Sequence, residues 1–303
     1  MTTSTLEAPP TRNAAIAPRR VRARRSNVLT LAMLALLVYF LVPLFWLVVA
    51  ATKTTGDLFS TFGLWFAPDF SLFTNIADTF TRDGGVFTRW ILNTAAYSLL
   101  TAGGAALLCA LAGYGFAKYR FRGSNALFGL VLGSIMVPTT ALVLPTYLLF
   151  SNAGLVNTPW AIIVPGLVSP FGLYLMRVYA QDAVPDSILE AARIDGAGEV
   201  RIFFQVVLRS LVPGVATVLL FTLVATWNNY FLPLIMLSDP DLYPITVGLA
   251  TWSSQAVGGS GSNAELLAVV VTGSLISIVP LVAAFLMLQR YWQSGLTAGG
   301  VKE

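Results

Sequence analysis

The chain has 303 residues, 56% of them hydrophobic and 11% charged, with a formal net charge of +4. A soluble domain carries about 25% charged residues, so this composition excludes a soluble globular fold and indicates an integral membrane protein. Histidine is absent and Cys109 is the single cysteine, which excludes an intrachain disulfide and a zinc site of the usual His/Cys kind and removes the commonest general base.

Residues 1–27 hold Arg19, Arg20, Arg22, Arg24 and Arg25 among Ala, Pro, Thr and Ser, a composition too polar to bury a core, and read as a disordered cytoplasmic tail. The apolar run 28–50 is longer than a signal-peptide core and lacks an A-x-A exit, so it is expected to stay as a first span. In the outer segment 51–89, Leu72, Phe73, Ile76 and Phe80 recur at helical spacing, as in a short helix on the membrane surface or a loop with scattered apolar residues. Further spans are predicted over 90–116, 126–150, 159–180, 211–237 and 266–289. Between them lie a basic turn with Lys118, Arg120 and Arg122, a cytoplasmic loop 181–205 and an outer loop 238–265 that is rich in Gly and Ser from Ser253 to Ser262. Pro138, Pro145, Pro165 and Pro170 interrupt the third and fourth spans, as kinks or as hinges that free carbonyls. No internal repeat is visible, and the expectation is an all-α polytopic membrane protein: one six-helix domain over 28–290 followed by a cytoplasmic tail, 291–303.

Orientation follows from the basic residues. With the N-terminus inside, only Lys53, Arg82 and Arg89 of the 18 Lys and Arg fall outside, which obeys the positive-inside rule and places both termini in the cytoplasm. Charges are nearly missing from the predicted span interiors, whereas an ion-coupled carrier usually needs an intramembrane carboxylate. No lysine follows a glycine, so there is no Walker A loop, and nucleotide hydrolysis would require a separate subunit. Polar groups inside a membrane must find partners or line water. Asn93 and Tyr97 in the second span, Tyr147 in the third and Asn228 and Asn229 in the fifth suit a pathway for an uncharged, hydroxylated solute, or hydrogen bonds that hold helices together.

The one long polar interruption with the look of a protein-docking surface is EAARIDGAGEVRIFFQVVLRSLVP, from Glu190 to Pro213. Ser187 and Glu190 have capping-box spacing, Ile188, Ala191 and Ala192 would share one helix face, and Gly196 would stop the helix. Val200, Phe203, Phe204 and Val207 then predict a second amphipathic helix. Glu190, Arg193, Asp195 and Arg201 can pair with a partner's charges, or the segment is simply a solvated loop helix.

The E-A-A, two residues, D-G-A string resembles the cytoplasmic EAA loop of binding-protein-dependent ABC importer permeases, specifically the carbohydrate-uptake class typified by maltose permease subunits. RWILNTAAYSLL in the second span and WNNYFLPLIML in the fifth extend the resemblance over nearly all of the chain after the tail, toward the shorter subunit of the permease pair. The resemblance implies a type I ABC importer permease fold with both termini inside, in a prokaryotic cytoplasmic (inner) membrane. It implies a second homologous permease, two ATPase subunits and an extracytoplasmic solute-binding protein, with no nucleic acid among the partners. ATP and Mg would reside on the ATPases, this chain would hold no cofactor or metal and catalyse nothing, and the solute would be a sugar or oligosaccharide. The family's coupling residues fall on Glu190, Ala191, Ala192, Asp195 and Gly196, with Ser187 and Phe203 in the same loop, while Ser253, Gln255, Gly258 and Gly259 would lie where the binding protein docks. Arg209 departs from the family, which often has Pro there. The competing classes are a stand-alone secondary or facilitative carrier, which usually has about twelve spans, and a membrane enzyme, which would need the missing histidine or paired carboxylates in the spans.

Overall fold

The apolar runs at 27–51, 208–227 and 266–298 form single helices although each holds a proline (Pro43, Pro213 and Pro280), whereas the runs that hold Pro138 and the Asn228–Asn229 pair divide. The computed structural model describes residues 26–258 and 265–298, and the expected N-terminal tail, Gly259 and Lys302 lie outside them. Helix α1 (Asn27–Ala51) has 25 residues, about 37 Å at 1.5 Å per residue, enough to cross a bilayer. Its apolar side chains are exposed on all sides over most of its length, as suits a lipid-facing helix.

The segment that follows carries α2 (Thr55–Ser60) and α3 (Leu72–Thr81). A helix does form here, but not with the expected face: Phe73 and Phe80 are exposed, and Asn75 and Thr79 are buried. The last carbonyls of a helix lack intrahelical donors. Asn75 supplies them, its Nδ2 donating at 2.9 Å to both Ala51 O and Lys53 O, and Thr79 Oγ1 donates to Asn75 O at 2.6 Å. Closing α1 therefore sets the rotation of α3.

Helix α4 (Val86–Lys118) is the longest element of the middle of the chain and packs against most of the rest. Its small residues make that possible: a Cβ on Gly113 would stand 2.6–2.7 Å from Met176 Cβ and Arg177 N, so two backbones touch there. The third span is not the continuous helix expected over 126–150. It divides into α5 (Ser124–Ser134) and α6 (Val143–Asn152), which together with the turn Thr139–Leu142 bend by 99°. Pro138 lacks an N–H and disfavours helix in the residue before it. The fourth span pauses likewise between α7 (Trp160–Gly166) and α8 (Pro170–Ala183), where Ser169 Oγ accepts from Gly172 N at 3.1 Å.

After α9 (Asp186–Ile194), the chain turns into α10 (Glu199–Ile202), a π-type turn (Phe203–Val207) and α11 (Leu208–Trp227). These last three run on as one 29-residue helix. The fifth span thus begins at Glu199 and passes unbroken through Arg209, rather than beginning at 211. It also ends earlier than predicted, at Trp227, and Phe231–Met236 is a separate short helix, α12. The predicted outer loop is largely ordered too, as α13 (Ile245–Val257). Finally α14 (Leu266–Ala298) continues well past the predicted end at 289. Among the described residues, five helices are long and apolar enough to cross a membrane, and the bent pair α5–α6 makes a sixth if it counts as one span.

Two cores lie at opposite ends of α4. Near Val86, Phe87 stacks on Trp252 with 14° between the rings, Trp90 packs on the same indole, and Ile245, Leu266 and Val269 close the cluster. Near Lys118, Ala106, Ala110 and Tyr114 of α4 meet Met176 and Ala180 of α8 together with Leu189, Ile202, Phe203, Val207 and Leu211.

Candidate functional site: the loop between the fourth and fifth spans

Pro185 adopts an extended conformation and starts α9 at Asp186, one residue before Ser187. The expected Ser187–Glu190 capping box does not form, and no side chain caps this helix. What fixes its start is Lys118, whose Nζ donates to Asp186 Oδ1 at 2.8 Å. The lysine's hydrogen bond and charge hold the Asp186 carboxyl below the usual carboxylate range. A depressed folded value means that the contact's contribution is complete above the ordinary range and is lost as pH falls through the folded value.

The inward side of α9 also differs from the expected one. Leu189 is its one buried residue, Ala192 is half-buried, and Ile188 and Ala191 are exposed. The helix ends in a Schellman arrangement. Gly196 sits at φ +78°, its N–H donates to Arg193 O, and Ala197 N donates to Ala192 O, both at 3.0 Å. Both donors serve carbonyls that the helix end leaves orphaned, and the left-handed residue is the position where glycine is favoured. Ala192 and Ala197 meet the buried cluster from this turn.

Past the turn, Glu199 gathers two donors. Arg193 Nε reaches Glu199 Oε1 at 2.8 Å, and the Tyr119 hydroxyl donates to Glu199 Oε2. Burial, and then the bond to Glu199, push the Tyr119 phenol well above the ordinary tyrosine range, and Glu199 likewise raises the Arg193 guanidinium. The face expected from Val200, Phe203, Phe204 and Val207 is only half inward: Phe203 and Val207 are buried with Ile202 and Leu211, whereas Val200 and Phe204 are exposed. The π-type turn adds a residue between Ile202 and Val207, which brings both to the same side.

One face of the loop is therefore fixed to α4, α8 and α11. The other presents Ile188, Ile194 (86% exposed), Val200 (73% exposed) and Phe204. Glu190 and Asp195 are exposed near them and have no cation partner among the described residues. Apolar groups rimmed by unpaired acids are what a partner surface offers.

The pathway candidates fall in two groups, Asn93, Tyr97 and Tyr147 around residues 241–243 and Asn228 with Asn229 after α11. Asn93 Nδ2 donates to Asp241 O (2.8 Å) and Tyr243 O (3.1 Å), and Tyr97 OH donates to Leu242 O (3.0 Å). These donors hold the segment before α13, joined there by Arg89 on Asp241 at 2.6 Å. Tyr147 packs half-buried against the cluster that contains Tyr97 and Met236. Asn228 and Asn229 stand at the break after α11. Asn228 Nδ2 returns to Val224 O at 2.8 Å, and Asn229 O accepts from Thr246 Oγ1 at 2.7 Å. Ser253 and Gln255 lie on α13, half-buried and exposed respectively, and Gly258 follows it.

Sequence reasoning missed Tyr119, Glu199, Asp186 and Leu189. Arg177, which the orientation count takes with the cytoplasmic basic residues although the predicted span 159–180 contains it, belongs to α8, inside a membrane-length segment, with its guanidinium carbon 3.8 Å from the Phe128 ring centroid.

Among the described residues, membrane-length helices and a helix–turn–helix seated on three of them are the architecture of a multi-pass membrane protein. The chain belongs to the family of binding-protein-dependent transport system inner membrane components, whose model matches residues 104–296. It is similar to the arabinooligosaccharides transport system permease protein AraQ of Halalkalibacterium halodurans, 34% identical over 86% of this chain and 90% of that one. The melibiose/raffinose/stachyose import permease protein MelC of Bacillus subtilis is 29% identical over 94% of this chain and 99% of its own. A crystal structure of a bacterial ABC transporter involved in import of the acidic polysaccharide alginate shares the fold, with a TM-score of 0.74 at 20% identity, over 89% of this chain and 98% of that one.

Proposed function

We propose that the chain is the permease subunit of an ATP-driven importer of a sugar or oligosaccharide. It works with a second permease, two ATPase subunits that carry ATP and Mg, and an extracytoplasmic binding protein. The observation that carries this reading is the two-sided loop. Leu189, Ile202 and Phe203 seat it in the core shared by α4, α8 and α11, while Ile188, Ile194, Val200, Phe204, Glu190 and Asp195 stay exposed at its outer side. A body bound to the exposed side can move the spans only because the other side is rigidly packed. The basic-residue distribution supports a cytoplasmic position for this loop. The sugar class is supported by the names of the relatives, and the contact with the binding protein is assigned to the region of Ser253, Gln255 and Gly258.

The test is copurification. The wild-type chain, expressed with its neighbouring genes, is expected to bring an ATPase with it. Glu190→Arg, which reverses an exposed charge without touching the core, is expected to weaken that association by at least about thirtyfold, the scale of a like-charge contact at an interface. A wild-type chain that purifies alone and still moves solute in vesicles would overturn the proposal.

Asn228 and Asn229 are assigned to the solute pathway because they expose amide groups at the break between α11 and α12. Replacing both with Leu is expected to cut uptake about tenfold with ATPase association unchanged. Loss of the association in that variant would make them structural instead.

A further inference from the structure

Lys53 is one of the three basic residues that the charge pattern leaves on the outer side, and the fold buries it, with 1% of its surface exposed. It lies two residues beyond α1, at the depth where a span of this length leaves the hydrocarbon and meets headgroups. Its Nζ donates to Phe62 O at 2.8 Å. Among the described residues no carboxylate pairs with it. One carbonyl occupies one of the three N–H groups of an ammonium, and a buried cation without a counter-charge is among the least favourable arrangements in a protein.

Lys53 is also one of the residues that line a cavity of about 220 Å³, together with Trp46, Phe59, Leu267 and Val271. Trp46 brings a second donor. Its Nε1 is 3.7 Å from the position of a Cβ on Gly63, the residue after Phe62, and it has no acceptor among the described residues. The cavity thus has two donor side chains in its lining, an ammonium with a single carbonyl acceptor and no counter-charge and an indole N–H, and hydrocarbon walls along the rest. An amphiphile with an anionic head satisfies both. Arg89 and Lys118, by contrast, have their carboxylates in Asp241 and Asp186.

We propose that this cavity binds an anionic glycerophospholipid of the outer leaflet, with the phosphate on the Lys53 ammonium and the Trp46 indole N–H and an acyl chain along Leu267 and Val271. The choice of leaflet rests on the orientation argued above, but the site itself does not depend on the transport reading. Both headgroups offer a phosphate anion, but choline adds a quaternary ammonium that repels the lysine and has no N–H to donate, so a phosphatidylglycerol should outlast a phosphatidylcholine.

The experiment is native mass spectrometry of the purified full chain, with whatever subunits accompany it, during stepwise delipidation from equal mixtures of phosphatidylglycerol and phosphatidylcholine. The wild type is expected to retain phosphatidylglycerol about tenfold over phosphatidylcholine. Lys53→Met should erase that preference. Val271→Trp, which keeps the lysine and fills the cavity, should lower retention of both lipids, while Arg82→Gln, a charge away from the cavity, should change neither. Inorganic phosphate should not stabilise the wild type against heat; if it does so as well as phosphatidylglycerol, the site serves a free anion and the lipid assignment fails. Equal retention of the two lipids by the wild type, or a preference that survives Lys53→Met, also overturns it. If Lys53→Met fails to insert, the wild-type preference and Val271→Trp decide the question.

Discussion

Gly196→Pro is expected to leave the spans inserted and to abolish transport. The residue stands at φ +78° and donates its N–H to Arg193 O. Proline fixes φ near −65° and has no N–H, so both the turn and the hydrogen bond are lost, and with them the Ala197 to Ala192 bond that closes α9. Crowding plays no part, because a Cβ at Gly196 would meet nothing within 4 Å. Gly196→Ala separates the causes. It keeps the N–H and imposes only the left-handed conformation on a residue with a Cβ, at a cost of about 1–2 kcal/mol, and should keep part of the transport. The measurements are membrane insertion, ATPase copurification and solute uptake for the three proteins side by side. Normal uptake in Gly196→Pro would remove the loop from the mechanism.

The helix, bend and helix of this loop were legible because local rules produce them: a glycine where the chain must turn left-handed, and apolar residues at helical spacing on either side. Its seating was not. Tyr119 and Glu199 are 80 residues apart, and no local pattern joins them. The start of α9 was misjudged because a capping box scores Ser187 and Glu190, while the helix begins after the extended Pro185 and its first residue, Asp186, is held by Lys118 from another helix. In α3 the apolar spacing indicated the helix but not its rotation, which the open carbonyls of α1 dictate through Asn75. Pro138 marked a weakness in the third span, and whether it becomes a gentle kink or a 99° bend depends on neighbours outside the segment. Asn93 and Tyr97 show a further limit. A pathway and a structural hydrogen bond use the same amide and phenol groups, and only the positions of the Asp241, Leu242 and Tyr243 carbonyls tell them apart.

Leu189→Ala should separate docking from transmission. Leu189 is 3% exposed and is the one buried residue of α9, so truncating it removes apolar contact with the core and leaves a cavity, a loss of about 2–5 kcal/mol for buried leucines. The ion pair between Arg193 and Glu199 is half exposed on both sides, and solvent-screened pairs of that kind contribute little. Apolar seating by Leu189, more than the charged contacts, therefore holds α9 against α4 and α8. The outer side, with Ile188, Ile194, Val200 and Phe204, is untouched by the substitution. The expected phenotype is an assembled complex that still binds its ATPase and hydrolyses ATP but imports solute at least about tenfold less per ATP, since a 2 kcal/mol loosening shifts an equilibrium by more than a factor of ten. Ile188→Ala, exposed and outside the core, should show the reverse order of loss: association weakens first, and the complexes that do form transport normally. Unchanged uptake per ATP in Leu189→Ala would mean that motion reaches the spans by another route, through the continuous helix that begins at Glu199, and the pivot would then be the π-type turn at Phe203–Val207.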